Sequence, residues 1–216
     1  MSVESVSGES FPSFFDAAPV IDVVDPLAGF LGAAGAGRLR YRYVDVVRMA
    51  GHSCPTVASA FLMTRAALAR LYENDVPERG GIRVEFRDAR DAGVTGVVAA
   101  VCTFVTGATE DSGFPGIGGR FGRRERLFFA RPLAFGEIRF SRIDRSAAPV
   151  EVAAHLQRVG GDPRTSQLMA RCLRGEASSD ETSTFRALWQ DRVRRLLLEH
   201  ADDSEVIDVR TVHHDA

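Results

Sequence analysis

The alternation of apolar and polar positions divides the chain into segments of two different periods. Val20 to Val24 has strand character, and Asp25-Pro26 then opens a short helix through Leu31 that the glycines from Gly32 to Gly37 bring to an end. Leu39-Arg40-Tyr41-Arg42-Tyr43 alternates strictly, which predicts a strand with Leu39, Tyr41 and Tyr43 on one face. From Pro55 to Tyr72 the period becomes helical. Val57, Phe61, Leu68 and Tyr72 make one apolar side, Ala58, Leu62, Ala66 and Ala69 a second, and a helix apolar on two sides is mostly buried. Ile82 to Phe86 returns to period two. Val94 to Val105 is nearly all apolar, so periodicity leaves buried helix and buried strand equally open there. Thr106 to Gly122 is a glycine-rich loop, and Phe135 to Ile143 offers a further strand.

Helical patterns dominate the rest of the chain. Pro149 to Val159 is amphipathic, and so is Arg164 to Leu173, which ends at Gly175. Ser178 and Ser179 with Asp180-Glu181 start a third helix that runs to about His200. Its positions Phe185, Leu188, Trp189, Val193, Leu196 and Leu197 keep i, i+3, i+4 spacing, with Arg186, Arg192, Arg194 and Arg195 expected towards water. The predicted class is α+β: a core at 16–145 with a mixed sheet and a long buried helix, a C-terminal helical appendage at 146–216, and an N-terminal arm at 1–15. Within the arm, Met1 to Ser10 is expected to be disordered, and Phe11 to Phe15 to dock on the body or on a second subunit.

Composition narrows the function classes. At 216 residues the chain can bury a substantial core, and 45% hydrophobic with 26% charged residues is ordinary for a soluble globular protein. A net charge of −2 carries no polyelectrolyte signature, so nucleic acid is not an expected partner. Every basic residue other than histidine is arginine, which excludes a lysine Schiff base or lysine general base. Cys54, Cys102 and Cys172 are widely spaced and odd in number, a poor basis for a disulfide framework, and a reducing cytoplasm fits better. The first residues lack the basic region of a secretory signal, and no apolar run reaches the ~18 residues of a membrane span.

The most chemically loaded stretch is Gly51-His52-Ser53-Cys54-Pro55-Thr56. Pro55 suits the first position of a helix, because its missing N–H would be unpaired there anyway. Cys54 is then the N-cap, where unpaired backbone N–H groups and the helix dipole favour a thiolate. His52, two residues earlier in extended chain, can converge with it on one point. The pair reads as half of a metal site or as a Cys/His catalytic pair, against the plainer alternative of a buried thiol beside a hydrogen-bonded histidine.

With this His-x-Cys-Pro element, the long helix after it, and Val105-Thr106-Gly107-Ala108-Thr109, the chain resembles the formylmethanofuran dehydrogenase E-subunit-like family. That family's signature looks like Gly-His-x-Cys-Pro-Gly at a helix start, followed downstream by Val-Thr-Gly-Cys-Thr. Arg174-Gly175-Glu176-Ala177 and the helix from Phe185 to Leu197 are similar to its C-terminal region. The resemblance spans roughly Asp45 to Val209 and implies an α+β core, a homodimer with exchanged elements, and a transition metal near the motif, zinc first, with nickel or iron as alternatives. His52 and Cys54 match the motif and carry over as candidate ligands. The chain departs from the pattern at Thr56, where glycine is usual, and at Ala108, which stands at the second cysteine; Cys102 supplies that thiol only in a shifted register.

A zinc site needs three or four ligands. Beyond His52, Cys54 and Cys102, the missing donors can come from Glu110, Asp111, Asp45, a partner subunit, or the His213-His214 pair. By default Cys102 is a core residue, as free cysteine often is. The loop glycines with Arg120, Arg123, Arg124 and Arg126 suit a small anion, since guanidinium forks and backbone N–H groups match phosphate or carboxylate. Three function classes emerge: a metalloprotein with an open position for a small ligand, a metal-free thiol enzyme with Cys54 as nucleophile and His52 as base, and a non-catalytic subunit of a redox or one-carbon enzyme.

Overall fold

A computed structural model describes residues 8–212. The chain is α+β, as the pattern predicts. An antiparallel ribbon pairs β1 (Ile21–Val24) with β2 (Arg38–Tyr41), and between them lies α1 (Pro26–Phe30). The main sheet has five strands in the order β4-β3-β5-β6-β7: β3 (Ile82–Phe86), β4 (Leu127–Phe128), β5 (Ile138–Arg142), β6 (Val150–Ala154) and β7 (Ile207–Thr211). It is mixed, because β3 runs parallel to β4 and antiparallel to β5.

Helix α3 (Pro55–Tyr72) packs against β5, β6 and β7, and α4 (Thr95–Thr106) packs against α3 and β3. Ile82, Val84, Ile138, Phe140, Val150 and Val152 supply the sheet side of this core, and Val57, Phe61, Leu62, Leu68, Val101 and Val105 the helix side. The strands alternate as period two requires, so Arg83, Glu85, Arg139 and Glu151 fall on the other face of the sheet. The helix predicted over Pro55 to Tyr72 has those limits, and its buried residues run all round, as two apolar sides imply.

The apolar run left open between helix and strand is α4, ended by Gly107 in a left-handed conformation. Tyr43 does not extend the β2 strand. It starts α2 (Tyr43–Ala50), because the Asp45 carboxylate accepts the Arg42 N–H at 2.9 Å and caps a helix there. The expected boundary near residue 146 is crossed by the main sheet, since β6 and β7 both come from the region read as a helical appendage. Val150 and Val152 point into the core while Glu151 points away, a spacing of two that the amphipathic pattern concealed. Between these strands come α5 (Arg164–Leu173) and α6 (Ser179–Leu198), the latter with the expected Ser178–Glu181 capping box. Arg192 and Arg195 of α6 do not simply face water. They donate to the carbonyls of Leu156, Val159 and Gly160 and tie α6 to the chain that leaves β6.

The aromatic part of the arm docks on the body. Phe15 is buried edge-on to Tyr43 with ring centroids 5.0 Å apart, and Phe11 and Phe14 pack beside it. The first seven residues, like the His213-His214 pair, lie outside the described residues.

Candidate functional site at the turn between the second and third helices

Helix α2 ends at Gly51, whose φ of 74° stops the helix and turns the chain towards α3. Cys54 is the N-cap of α3 and Pro55 its first residue, as the motif predicts. The Cys54 sulfur accepts the Val57 N–H at 3.4 Å, so one orphan donor of the helix start already points at it. Cys54 is half-buried against the core.

His52 is exposed, with Nδ1 3.0 Å from the Ala50 carbonyl oxygen. A carbonyl only accepts, so Nδ1 is the donor in this contact, and in the neutral imidazole that tautomer has its lone pair on Nε2. Ser53, between the two, is held from three sides. Its hydroxyl donates to Gln190 Oε1 at 3.1 Å and lies 3.0 Å from the Tyr43 hydroxyl, while its carbonyl accepts from Trp189 Nε1 at 3.0 Å and Gln190 Nε2 at 3.2 Å. With the serine proton committed to Gln190, the Tyr43 hydroxyl is the donor of its pair. Burial pushes the Tyr43 phenol well above its ordinary pKa, so it is a neutral donor. Helix α6 therefore fixes the turn that carries His52 and Cys54.

Beside this turn lies a cleft of about 400 Å³, walled by Phe11, Phe15, Phe185 and Trp189, with His52, Ser53, Arg186 and Gln190 as its polar lining. Cys54 does not line it. A concave apolar wall with few polar groups is the usual form of a small-molecule site.

The structure does not bring Cys102 to this turn. Its thiol is fully buried, 3.4 Å from the Thr64 hydroxyl. Thr64 is ten residues beyond Cys54 on α3, a rise of about 15 Å along the helix. Burial, countered only in part by the Thr64 hydrogen bond, pushes the Cys102 thiol up to about 12, so it is a neutral core group. Ala108, at the position of the family's second cysteine, is fully buried. The remaining expected donors are engaged or distant in role: Asp45 caps α2 and pairs with Arg48, Glu110 pairs with Arg90, and Asp111 is exposed on the loop. Among the described residues, no three His, Cys, Asp or Glu side chains come together as a metal-binding group.

Arg120 and Arg123 do meet, in a separate cleft with Arg79 and Arg126. Arg79 and Gln190 carried no sequence signal, and Tyr43 and Trp189 carried only that of an apolar face; their place beside these sites shows only in space. No family model matches the chain, and neither does any curated protein.

Proposed function

We propose that the chain is a metal-binding protein in which His52 and Cys54 hold a transition metal, zinc first, beside an apolar cleft that admits a small ligand. The observation that carries this reading is the hydrogen bond from His52 Nδ1 to the Ala50 carbonyl. Metal-binding histidines characteristically donate the other ring N–H to such an acceptor, which fixes the tautomer and orients the ring. The donor types also fit, since imidazole and thiolate together suit a borderline-soft ion, and a helix N-terminus favours the thiolate. The resemblance of the Gly51–Pro55 motif to the formylmethanofuran dehydrogenase E-subunit-like family supports the same assignment.

Two donors are fewer than a zinc site holds, so the remaining positions fall to solvent, to a ligand in the cleft, or to a second copy of the chain, in keeping with the homodimer that the resemblance implies. His52 is exposed and open to such a partner. A bound metal would supply Lewis-acid chemistry at the cleft. The chain itself supplies orientation, through Ser53 and α6, and an apolar wall that excludes water. All three cysteines are free, and a reducing cytoplasm would keep Cys54 available. No helix among the described residues is long and apolar enough to cross a membrane.

The test is equilibrium dialysis of the untagged full chain against zinc, nickel or iron(II), with total metal measured at each free concentration. Saturable binding is expected, weakened by at least the tenfold or so typical of losing a metal-supporting group in both His52→Ala and Cys54→Ser. If none of the three metals is retained, or if both variants bind as the parent does, the reading is wrong.

A further inference from the structure

The glycine-rich loop builds a second site, separate from the His52 turn. Its tip is a two-residue hairpin in which Ile117 and Arg120 exchange backbone hydrogen bonds of 2.9 and 3.0 Å. Gly118 and Gly119 take φ values of 57° and 74°, the two positive angles that a type I′ turn requires. Arg120 comes directly after the turn, and the next residue, Phe121, is held at a φ of 64°, an unfavourable conformation for a side chain of its size.

The loop lays Arg120, Arg123 and Arg126 beside Arg79 around a cleft of about 350 Å³. Arg123 packs against Gly80, whose φ of 88° favours glycine and where a Cβ would fall 1.2 Å from the Arg123 Nη1. Behind it the buried Asp25 carboxylate is shared, with Oδ1 2.6 Å from Arg123 Nη2 and Oδ2 3.0 Å from Arg79 Nη1.

One carboxylate thus serves two guanidinium groups. Arg126 is half-buried and makes no ion pair or side-chain hydrogen bond among the described residues, and Arg120 only stacks its guanidinium on Phe121 at 4.8 Å. Arg79 Nε is buried without a hydrogen-bond partner. Burial and then the neighbouring Arg123 charge hold Arg126 below its ordinary pKa, with Glu78 opposing them. Four guanidinium groups face Asp25 and Glu78, which leaves two positive charges uncompensated in a partly enclosed space.

We propose that this cleft binds a small anion of the phosphate class carrying at least two negative charges, a phosphate monoester or pyrophosphate group, with Arg126 and Arg120 as its direct partners. Arg123 and Asp25 form the rigid floor. Guanidinium forks match phosphate oxygens two at a time, and such an anion supplies the two charges the cleft lacks. The size of the cleft and the net charge of −2 on the whole chain disfavour a polyanion.

Isothermal titration of the full chain with pyrophosphate tests this. Saturable binding is expected, weakened by roughly tenfold or more in Arg126→Gln, the loss that accompanies removal of a charged hydrogen bond, and by a smaller factor in the exposed Arg120→Gln. Arg124→Gln is the control, because Arg124 is exposed and its Nε donates to the Gly113 carbonyl at 2.6 Å, away from the cleft. Circular dichroism of each variant confirms that it folds. No saturable heat with millimolar pyrophosphate would overturn the proposal. So would an equal loss in Arg124→Gln and Arg126→Gln, which would mean diffuse surface attraction. Neither outcome bears on metal binding at His52.

Discussion

Two buried carboxylates, Glu151 and Asp25, each sit against arginine, and only one stands behind an open cleft. Glu151 is fully buried on the second face of the main sheet. It accepts the backbone N–H groups of Ala134, Phe135 and Gly136 and pairs with Arg139 at 2.6 Å, so both of its oxygens are saturated. Asp25 accepts the N–H groups of Leu27 and Ala28, caps α1, and still holds two arginines, with two further arginines beyond them. A balanced buried charge fastens two pieces of backbone together. An unbalanced one leaves spare guanidinium groups facing the cleft, where an anion could pair with them.

The comparison breaks if the two acids respond alike to neutralisation. Glu151→Gln should cost about 3–5 kcal/mol, the usual penalty for breaking a buried pair, because Glu151 has no exposed surface and only 14% of the Arg139 side chain reaches solvent. Urea unfolding measures it. Asp25→Asn should cost less, roughly 2 kcal/mol, since water and buffer anions can enter the cleft and pair with Arg79 and Arg123. A larger loss for Asp25→Asn than for Glu151→Gln would mean that the cleft is sealed.

Lowering the pH sharpens the same contrast. Burial works to raise both carboxyls, but it is outweighed, at Asp25 by the Arg123 charge and the Arg79 hydrogen bond, and at Glu151 by the backbone N–H of Phe135 and the Arg139 pair. Each folded-state pKa therefore lies below its unfolded value, taken as 3.8 for Asp25 and 4.5 for Glu151. The stability that each contributes is present above those values and is lost as pH falls towards the folded pKa. The slope approaches roughly 1.4 kcal/mol per pH unit for each carboxyl in that window. Stability measured downward from about pH 4.5 should fall less steeply in either variant than in the parent, and identical slopes would remove both acids from the account.

Local signals in the chain foretold local structure. Pro55 with Cys54 before it marked the start of α3, and Asp25 before Pro26 marked α1, because caps act within three or four residues. The strand character of Val150–Ala154 was not legible, since it depends on pairing with Ile138 on one side and Val209 on the other. The same divide runs through the sites. The His52–Cys54 turn could be read directly, whereas the position of Cys102 depends on how α4 lies along α3. The Asp25–Arg123 pair spans 98 positions, and no spacing rule reaches that far.

The bonds between Ser53 and Gln190 bear on how the molecule is made. They join residues 137 positions apart, so a nascent chain that has already wound α3 still lacks the clamp on its His52 turn until α6 leaves the ribosome. Contacts of such long range form late and slowly. The turn that carries His52 and Cys54 is thus translated early and given its final shape near the end.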